Sequence, residues 1–340
     1  MENFSDKDMD RIIECVPNFS EGRNMQVIEA IVTAIEKGGR KASRNGVKVL
    51  NVDPGEAANR TVITFTGSPE AVVEAAFQAV KTAGELIDMR KQQGTHPRSG
   101  ATDVLPLIPI SGITLQECAD LARSLAGRIY GELGIPCYCY EAAAFKPARK
   151  NLAVCRSGEY EALPQKISDP ERRPDFGPDT YTEKVAFSGA VNVGARDFLI
   201  AVNFNLDTTS ADIAHEIACD VREKGRPGKP GTLKGCKAIG WYIEEYGLAQ
   251  VSMNITDINS TPLHSAYEEV CRAAEARGRK VTGTEIIGLV PKRCLIDAGR
   301  HFLEKQQSSF ETSEEDIITT AVRSMGLDEL REFVAEEKMI

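Results

Sequence analysis

The chain has 340 residues, a formal net charge of −9 at pH 7, 42% hydrophobic and 27% charged residues, the profile of a globular protein large enough for about two domains. The acidic balance argues against nucleic acid as a partner, which needs a basic face, and no apolar run approaches the ~18 residues of a membrane span. Nine cysteines without a Cys-x-x-Cys pair predict neither a disulfide framework nor a zinc site, so no metal is expected, and the thiols read as buried apolar side chains in a reducing cytoplasm.

Residues 1–10 are acidic and polar and read as a loose leader, lacking the basic and apolar regions of a signal peptide. Segment 11–19 predicts a strand. A helix follows from about Asn24, with Val27, Ile28, Ile31, Ala34 and Ile35 at helical spacing, and Gly38-Gly39 stops it. Segments 47–53 and 60–66 read as strands around a turn at Pro54-Gly55. Ser68 as N-cap and Pro69 in the first turn open a long helix to about Met89. After the loop 94–103 comes an apolar strand whose Pro106 and Pro109 predict an irregular or edge position. This order, β-α-β-β-α-β, is the ferredoxin-like pattern, an antiparallel sheet with both helices on one face. A helix from Thr114 and a strand at 136–140 extend it. Segment 156–185 turns to Pro, Gly and charge and reads as a connector long enough to be functional. A second unit follows, with strand 198–206, helix 210–224, hairpin 237–246 and 248–255, helix 263–276 and strand 285–290. After about residue 302 a polar run leads into a terminal helix with Ile317, Ile318, Ala321 and Val322 on one side. The expected fold is therefore α+β, two ferredoxin-like α/β subdomains with a ligand groove between them. The domains would be a leader (1–10), an N-terminal subdomain (11–180), a C-terminal subdomain (181–302) and a tail helix (303–340).

The chemistry concentrates in Gly94-Thr95-His96-Pro97-Arg98-Ser99-Gly100-Ala101-Thr102-Asp103. Imidazole is the side chain best suited to moving a proton at neutral pH, and Arg98 has the paired donors that hold a carboxylate. Pro97 biases His96 towards extended backbone, so the ring is presented from a stiff segment. The bland alternative is a solvated surface histidine. His215, His264 and His301 read as structural or solvated. Dinucleotide, phosphate-loop, zinc-protease and nucleophile-elbow signatures are missing. Segment 14–23 ends a strand with polar groups that suit either ligand contact or a helix cap. Asp53-Pro54-Gly55 and Asn59-Arg60-Thr61 place a carboxylate and a guanidinium at opposite ends of one connection, although an Asp there also suits an Asx-turn. Asp175-Phe176-Gly177-Pro178 heads the later part of the connector, and Val193-Gly194-Ala195-Arg196 closes it. The loop 225–231 is basic and could meet an anion or serve as a surface turn.

Taken in order, segments 14–23, 59–64, 94–109, 175–178, 193–206, 239–254 and 282–291 resemble the glutamate formimidoyltransferase family over about residues 12–300, in its stand-alone form without a cyclodeaminase domain. The resemblance implies transfer of the formimino group from N-formimino-L-glutamate to tetrahydrofolate, giving 5-formimino-tetrahydrofolate and L-glutamate, a step of histidine degradation and one-carbon metabolism. It implies a cytoplasmic homodimer with tetrahydrofolate as co-substrate. The family's catalytic histidine falls on His96 and its strand-end acid on Asp53; members often carry a second acid where this chain has Asn51. The folate-contacting segment falls on Gly177, Pro178, Asp179, Thr180, Tyr181, Thr182, Glu183, Lys184, Val185 and Ala186. Asn59, Arg60, Arg98 and Arg196 are the further substrate-binding candidates. The competing readings are an N-formylglutamate donor and a folate-binding protein without turnover.

Overall fold

The computed structural model describes residues 11–306 and 313–340. The leader expected at 1–10 and residues 307–312 of the polar run lie outside the described residues. The chain divides into two compact units, the first ending at Asp197 and the second beginning at Phe198. That division falls after the expected boundary at 180/181, because the end of the connector packs into the first unit.

The first unit contains β1 (Ile12–Cys15), β2 (Asn18–Phe19), α1 (Met25–Ala42), β3 (Val47–Gly55), β4 (Arg60–Gly67), α2 (Pro69–Leu86), β5 (Thr102–Ser111), α3 (Leu115–Arg128), β6 (Cys137–Glu141), the short helices α4 (Leu152–Cys155), α5 (Leu163–Ser168) and α6 (Glu183–Ser188), and β7 (Val191–Ala195). Each long helix starts on a side chain that satisfies amide groups left without an intrahelical partner. Asn24 accepts from Gln26 and Val27, Ser68 accepts from Ala71, and Thr114 forms a reciprocal capping box with Glu117.

The single strand expected at 11–19 is two, because Val16-Pro17 interrupts it and Pro17 has no N–H to offer a ladder. The sheet runs β3, β4, β1 with β2, β5, β7, β6. Pairing is antiparallel from β3 to β5 and parallel from β5 through β7 to β6. Strand β5 is therefore central, not at an edge. Its Pro106 is tolerated because it lies by the Val16-Pro17 interruption, where Val16 N donates 3.4 Å to the Pro106 carbonyl. One apolar cluster joins Ile13, Phe19, Ile63, Phe65, Leu105, Leu107, Val191 and Val193 of the strands to Ile31, Ile35, Val72, Ala75, Ala79 and Leu125 of α1 to α3. Each fully buried aliphatic chain there contributes about 1.5–3 kcal/mol.

The connector is not a link between units. It folds back onto β6, where Tyr138 and Tyr140 pack with Cys155, Leu163, Ile167, Val185 and Ala190. Arg149 and Asp175 pin it as a buried ion pair, Asp175 also accepting from Cys139 N at 2.8 Å. Buried Lys166 donates to the Cys155 carbonyl and lies 4.7 Å from the Tyr138 ring centroid.

The second unit contains β8 (Ile200–Leu206), α7 (Ala211–Val221), β9 (Cys236–Ile243), β10 (Leu248–Ile255), α8 (Leu263–Glu275), β11 (Val281–Ile287), α9 (Lys292–Lys305), α10 (Glu314–Met325) and α11 (Ala335–Lys338). Its sheet, ordered β11, β8, β10, β9, is antiparallel throughout. Val202, Phe204, Val251 and Met253 form a second core with Ile217, Val270, Leu295, Phe302 and Met325. Helix α9 is additional to the expected elements, and the expected tail helix is α10. Among the described residues no helix is long and apolar enough to cross a membrane.

A candidate active site around His96

The loop 90–101 is held from three directions. From the β3–β4 turn, Asn59 donates through Nδ2 to the Gln93 carbonyl at 2.8 Å while its Oδ1 accepts from Gly22 N at 3.0 Å. Gln92 Nε2 returns a bond to the Asn59 carbonyl at 3.0 Å. Asn59 takes a left-handed φ of 47°, a conformation that asparagine enters more readily than most residues. From the entrance to β7, Ala190 N donates to the Ser99 carbonyl at 3.0 Å and Ala101 N to the Ser188 carbonyl at 2.8 Å. Only glycines allow this approach: a Cβ on Gly189 (φ +67°) would lie 2.4 Å from Gly100 Cα. From the connector, Tyr160 N donates to the Arg98 carbonyl at 2.8 Å.

Arg98 itself is spent on the loop. Its guanidinium bonds Gln92 Oε1 at 2.7 Å, the Gln92 carbonyl at 3.2 Å, Glu159 at 3.3 Å and Glu161 at 3.2 and 2.7 Å. That uses the five N–H donors a guanidinium has. The structure thus gives Arg98 and Asn59 internal partners in place of an open face towards a ligand.

His96 is half-buried. Its Nδ1 lies 2.6 Å from the Pro97 carbonyl, so Nδ1 carries the hydrogen of the neutral ring and Nε2 the lone pair. Burial, with the positive charges of Arg60 and Arg156, holds the imidazole well below the usual histidine range. The ring is accordingly a neutral base at physiological pH.

Both cations sit at the ends of chain segments that brace the loop. Arg60 opens β4 directly after Asn59. Burial pushes its guanidinium down to about 10, Arg156 adds to the effect, and Asp103 and Asp53 oppose it. Arg156 follows α4, and its Nη2 donates to Asp103 Oδ2 at 2.5 Å. Asp103, 1% exposed, accepts Ser99 N on its other oxygen at 3.0 Å. It occupies the register shift opposite Asn18 and Phe19, where a bulge can aim a side chain out of the regular pleat. Asp53 lies in β3 opposite Val62, on the side of Arg60.

Further along the sheet, Glu14 is 3% exposed. Burial raises its carboxyl to about 7 against the opposing field of Arg196. Arg196 directs Nη1 to the Asp197 carbonyl at 2.9 Å, and its charge also reaches Tyr140. Of the segment 177–186, Asp179, Thr180, Tyr181, Thr182, Glu183 and Lys184 are exposed, whereas Val185 and Ala186 are buried. Thr182 caps α6 through Val185 N, Asp179 pairs with Arg173 at 2.9 Å and Glu183 with Arg90 at 3.3 Å. Tyr160 OH donates to the Ala186 carbonyl at 2.5 Å and lies 3.4 Å from Tyr181 OH. The segment therefore ends beside the Ser99-Gly100 side of the histidine loop.

The other three histidines lie in the second unit. His215 Nε2 meets Cys219 Sγ at 3.4 Å, and His264 stacks on His301 at 4.3 Å. Among the described residues no group of three or more His, Cys, Asp or Glu side chains is placed to hold a metal ion. The sequence reading passed over Arg156 and the burial of Glu14. Arg156 stands at the start of the polar connector and nothing in its local sequence distinguishes it. Glu14 carried a signal, a carboxylate within an otherwise apolar strand.

A half-buried neutral imidazole beside two guanidinium groups, each of them near a carboxylate, can take up and return a proton while anionic groups bind beside it. Residues 12–196 match the formiminotransferase domain, N-terminal subdomain, and residues 201–340 match the formiminotransferase domain. The chain is 42% identical over 302 residues to a glutamate formimidoyltransferase of Streptococcus pyogenes serotype M1, covering 89% of this chain and 96% of that protein. It is 41% identical over 295 residues to one of Thermoplasma acidophilum, covering 86% and 92%. A formimidoyltransferase-cyclodeaminase of Gallus gallus is 46% identical over 333 residues, covering 98% of this chain and 60% of that protein. The chain thus spans 60% of the length of the formimidoyltransferase-cyclodeaminases it matches. The two matched domains and these relatives show that the chain belongs to the formiminotransferase domain family.

Proposed function

We propose that the chain transfers the formimino group of N-formimino-L-glutamate to N5 of tetrahydrofolate, releasing L-glutamate. The observation that carries this reading is His96, a neutral base with Nε2 as its lone-pair nitrogen, in a site rich in guanidinium groups. N5 attacks the formimino carbon and a tetrahedral intermediate forms. Collapse breaks the bond between that carbon and the glutamate nitrogen. His96 takes the proton that N5 loses and delivers it to the departing nitrogen, which leaves poorly unless protonated. Each such transfer typically gives 10²–10⁴ in rate. Asp53 supports the imidazolium formed between the two transfers, as a carboxylate does in triads generally.

The segment 177–186 is the candidate folate contact, because its exposed part runs into the histidine loop. Both sheets are read as ferredoxin-like, since β3, β4, β1 with β2, and β5 follow the same order as β9, β10, β8 and β11. The ligand groove, a homodimer and a cytoplasmic location belong to the same proposal. Purified protein should form 5-formimino-tetrahydrofolate and L-glutamate from the two substrates. Turnover with N-formyl-L-glutamate alone would assign the formyl donor instead. Folate binding by calorimetry with neither transfer would leave a binding protein.

A further inference from the structure

Most guanidinium groups of the first unit with buried character are committed to acceptors. Arg98 uses all its donors, and Arg149 is bonded to Asp175, Glu171 and Arg173. Arg60 and Arg156 differ. Among the described residues the Arg60 guanidinium makes no hydrogen bond. Arg156 makes one, to Asp103 at 2.5 Å, and its Nε is buried without a partner. Each group has five donors, so these two half-buried cations leave most of theirs without a protein acceptor among the described residues. A buried donor without an acceptor costs about 1–3 kcal/mol. Such an arrangement persists where an anion completes it.

We propose that Arg156, oriented by Asp103, joins Arg60 in holding the α-carboxylate of the donor beside His96. The inference rests on the reading of the donor as an N-substituted glutamate. The transferred carbon is bonded to the glutamate nitrogen, and the α-carboxylate hangs from the next carbon. An anion site at the catalytic imidazole is therefore within reach of that carboxylate. The glutamate carboxylates of folate lie beyond the aminobenzoyl ring, far from N5. Asp103 holds Ser99 N with one oxygen and Arg156 with the other, so it sets the guanidinium against the backbone of the histidine loop. Arg156 is a binding residue in this assignment and Asp103 a positioning residue.

Calorimetric titration with L-glutamate tests the assignment without requiring turnover. Wild type should bind glutamate, and Arg156→Gln should weaken it about tenfold or more, as for loss of a charge-assisted bond. L-glutamine keeps the α-carboxylate and L-isoglutamine lacks it. Wild type should therefore bind glutamine more tightly than isoglutamine, and Arg156→Gln should lose that preference. Since Arg156→Gln leaves the buried Asp103 without its cation, the double variant Asp103→Asn with Arg156→Gln removes both charges and should show the same lost preference in a folded protein. Unchanged glutamate affinity in either variant, isoglutamine bound as tightly as glutamine by wild type, or no glutamate binding by wild type at millimolar concentration would each overturn the proposal. A wild type that binds glutamate through Arg156 yet transfers no formimino group would instead overturn the proposed function alone.

Discussion

An imidazole that must accept a proton from a pterin nitrogen has to be neutral when the substrate arrives. At His96 burial and the neighbouring cations Arg60 and Arg156 favour that form. The hydrogen bond to Pro97 fixes the tautomer. His96→Ala should lower kcat by at least ~10², about 2.7 kcal/mol of barrier, with tetrahydrofolate affinity in calorimetry nearly kept. A variant retaining more than a tenth of the wild-type kcat would remove His96 from the proton path. In the proposed mechanism the free enzyme's histidine governs the acidic limb of kcat/KM. With its pKa depressed, activity should persist to pH values below the ordinary histidine titration near 6.5. A limb at or above that value would mean that the carboxylates outweigh the arginines. His96 was legible because Gly-Thr-His-Pro-Arg is a local pattern. The neighbouring arginine was legible as well, but not its use, since its partners Glu159 and Glu161 lie 61 and 63 residues away. Arg156 was invisible for the same reason, joined to Asp103 across 53 residues.

Among the elements, β1 carries the clearest cost. Glu14 faces away from the core-facing Ile13 and Cys15, and burial raises its carboxyl from 4.5 to about 7. Between those values the folded chain holds a proton that the unfolded chain has released, so stability falls as pH rises. The loss is complete above about pH 7 and amounts to about 3 kcal/mol. Glu14→Gln should therefore raise the urea midpoint at pH 8, with the gain shrinking to nothing near pH 4. Equal midpoints at pH 8 would show that Arg196 compensates the charge fully. Most elements were readable from period and caps, as at α2 and α3, whereas α1 runs through the stop expected at Gly38-Gly39 and ends at Ala42. Strand β7 was not readable, because it is buried on both faces while Asn192 and Gly194 interrupt the continuous apolar run that such a strand usually shows. In the fold Asn192 is fully buried, with Nδ2 donating to the Asp103 carbonyl at 2.8 Å and to Ser99 Oγ at 3.2 Å. A Cβ on Gly194 would lie 2.5 Å from the Tyr140 ring. Both residues are set by tertiary neighbours that no local pattern announces. The connector misled in the same way, its Leu163, Ile167 and Val185 being too sparse to predict that they cover a sheet.

At the scale of the molecule, two units with separate cores follow from the repeated order of strands and helices, which was legible even without sequence identity between the halves. The electrostatics need the whole chain and the site together. A net charge of −9 should oppose the approach of the proposed substrates, themselves net anions, whereas Arg60, Arg156 and Arg196 act only nearby. At about 0.01 M ionic strength the Debye length is roughly 30 Å, so the distant acidic surface is felt; at 0.15 M it is about 8 Å. Salt should therefore screen the long-range repulsion more than the contacts between guanidinium and carboxylate within the partly buried site. The expected result is that kcat/KM for tetrahydrofolate rises between 10 and 150 mM salt, by less than about tenfold, with kcat nearly constant. Steady-state assays across that range decide the point. A kcat/KM that falls with salt would mean that the local basic field reaches further than the acidic surface, and that the arginines steer substrate as well as hold it.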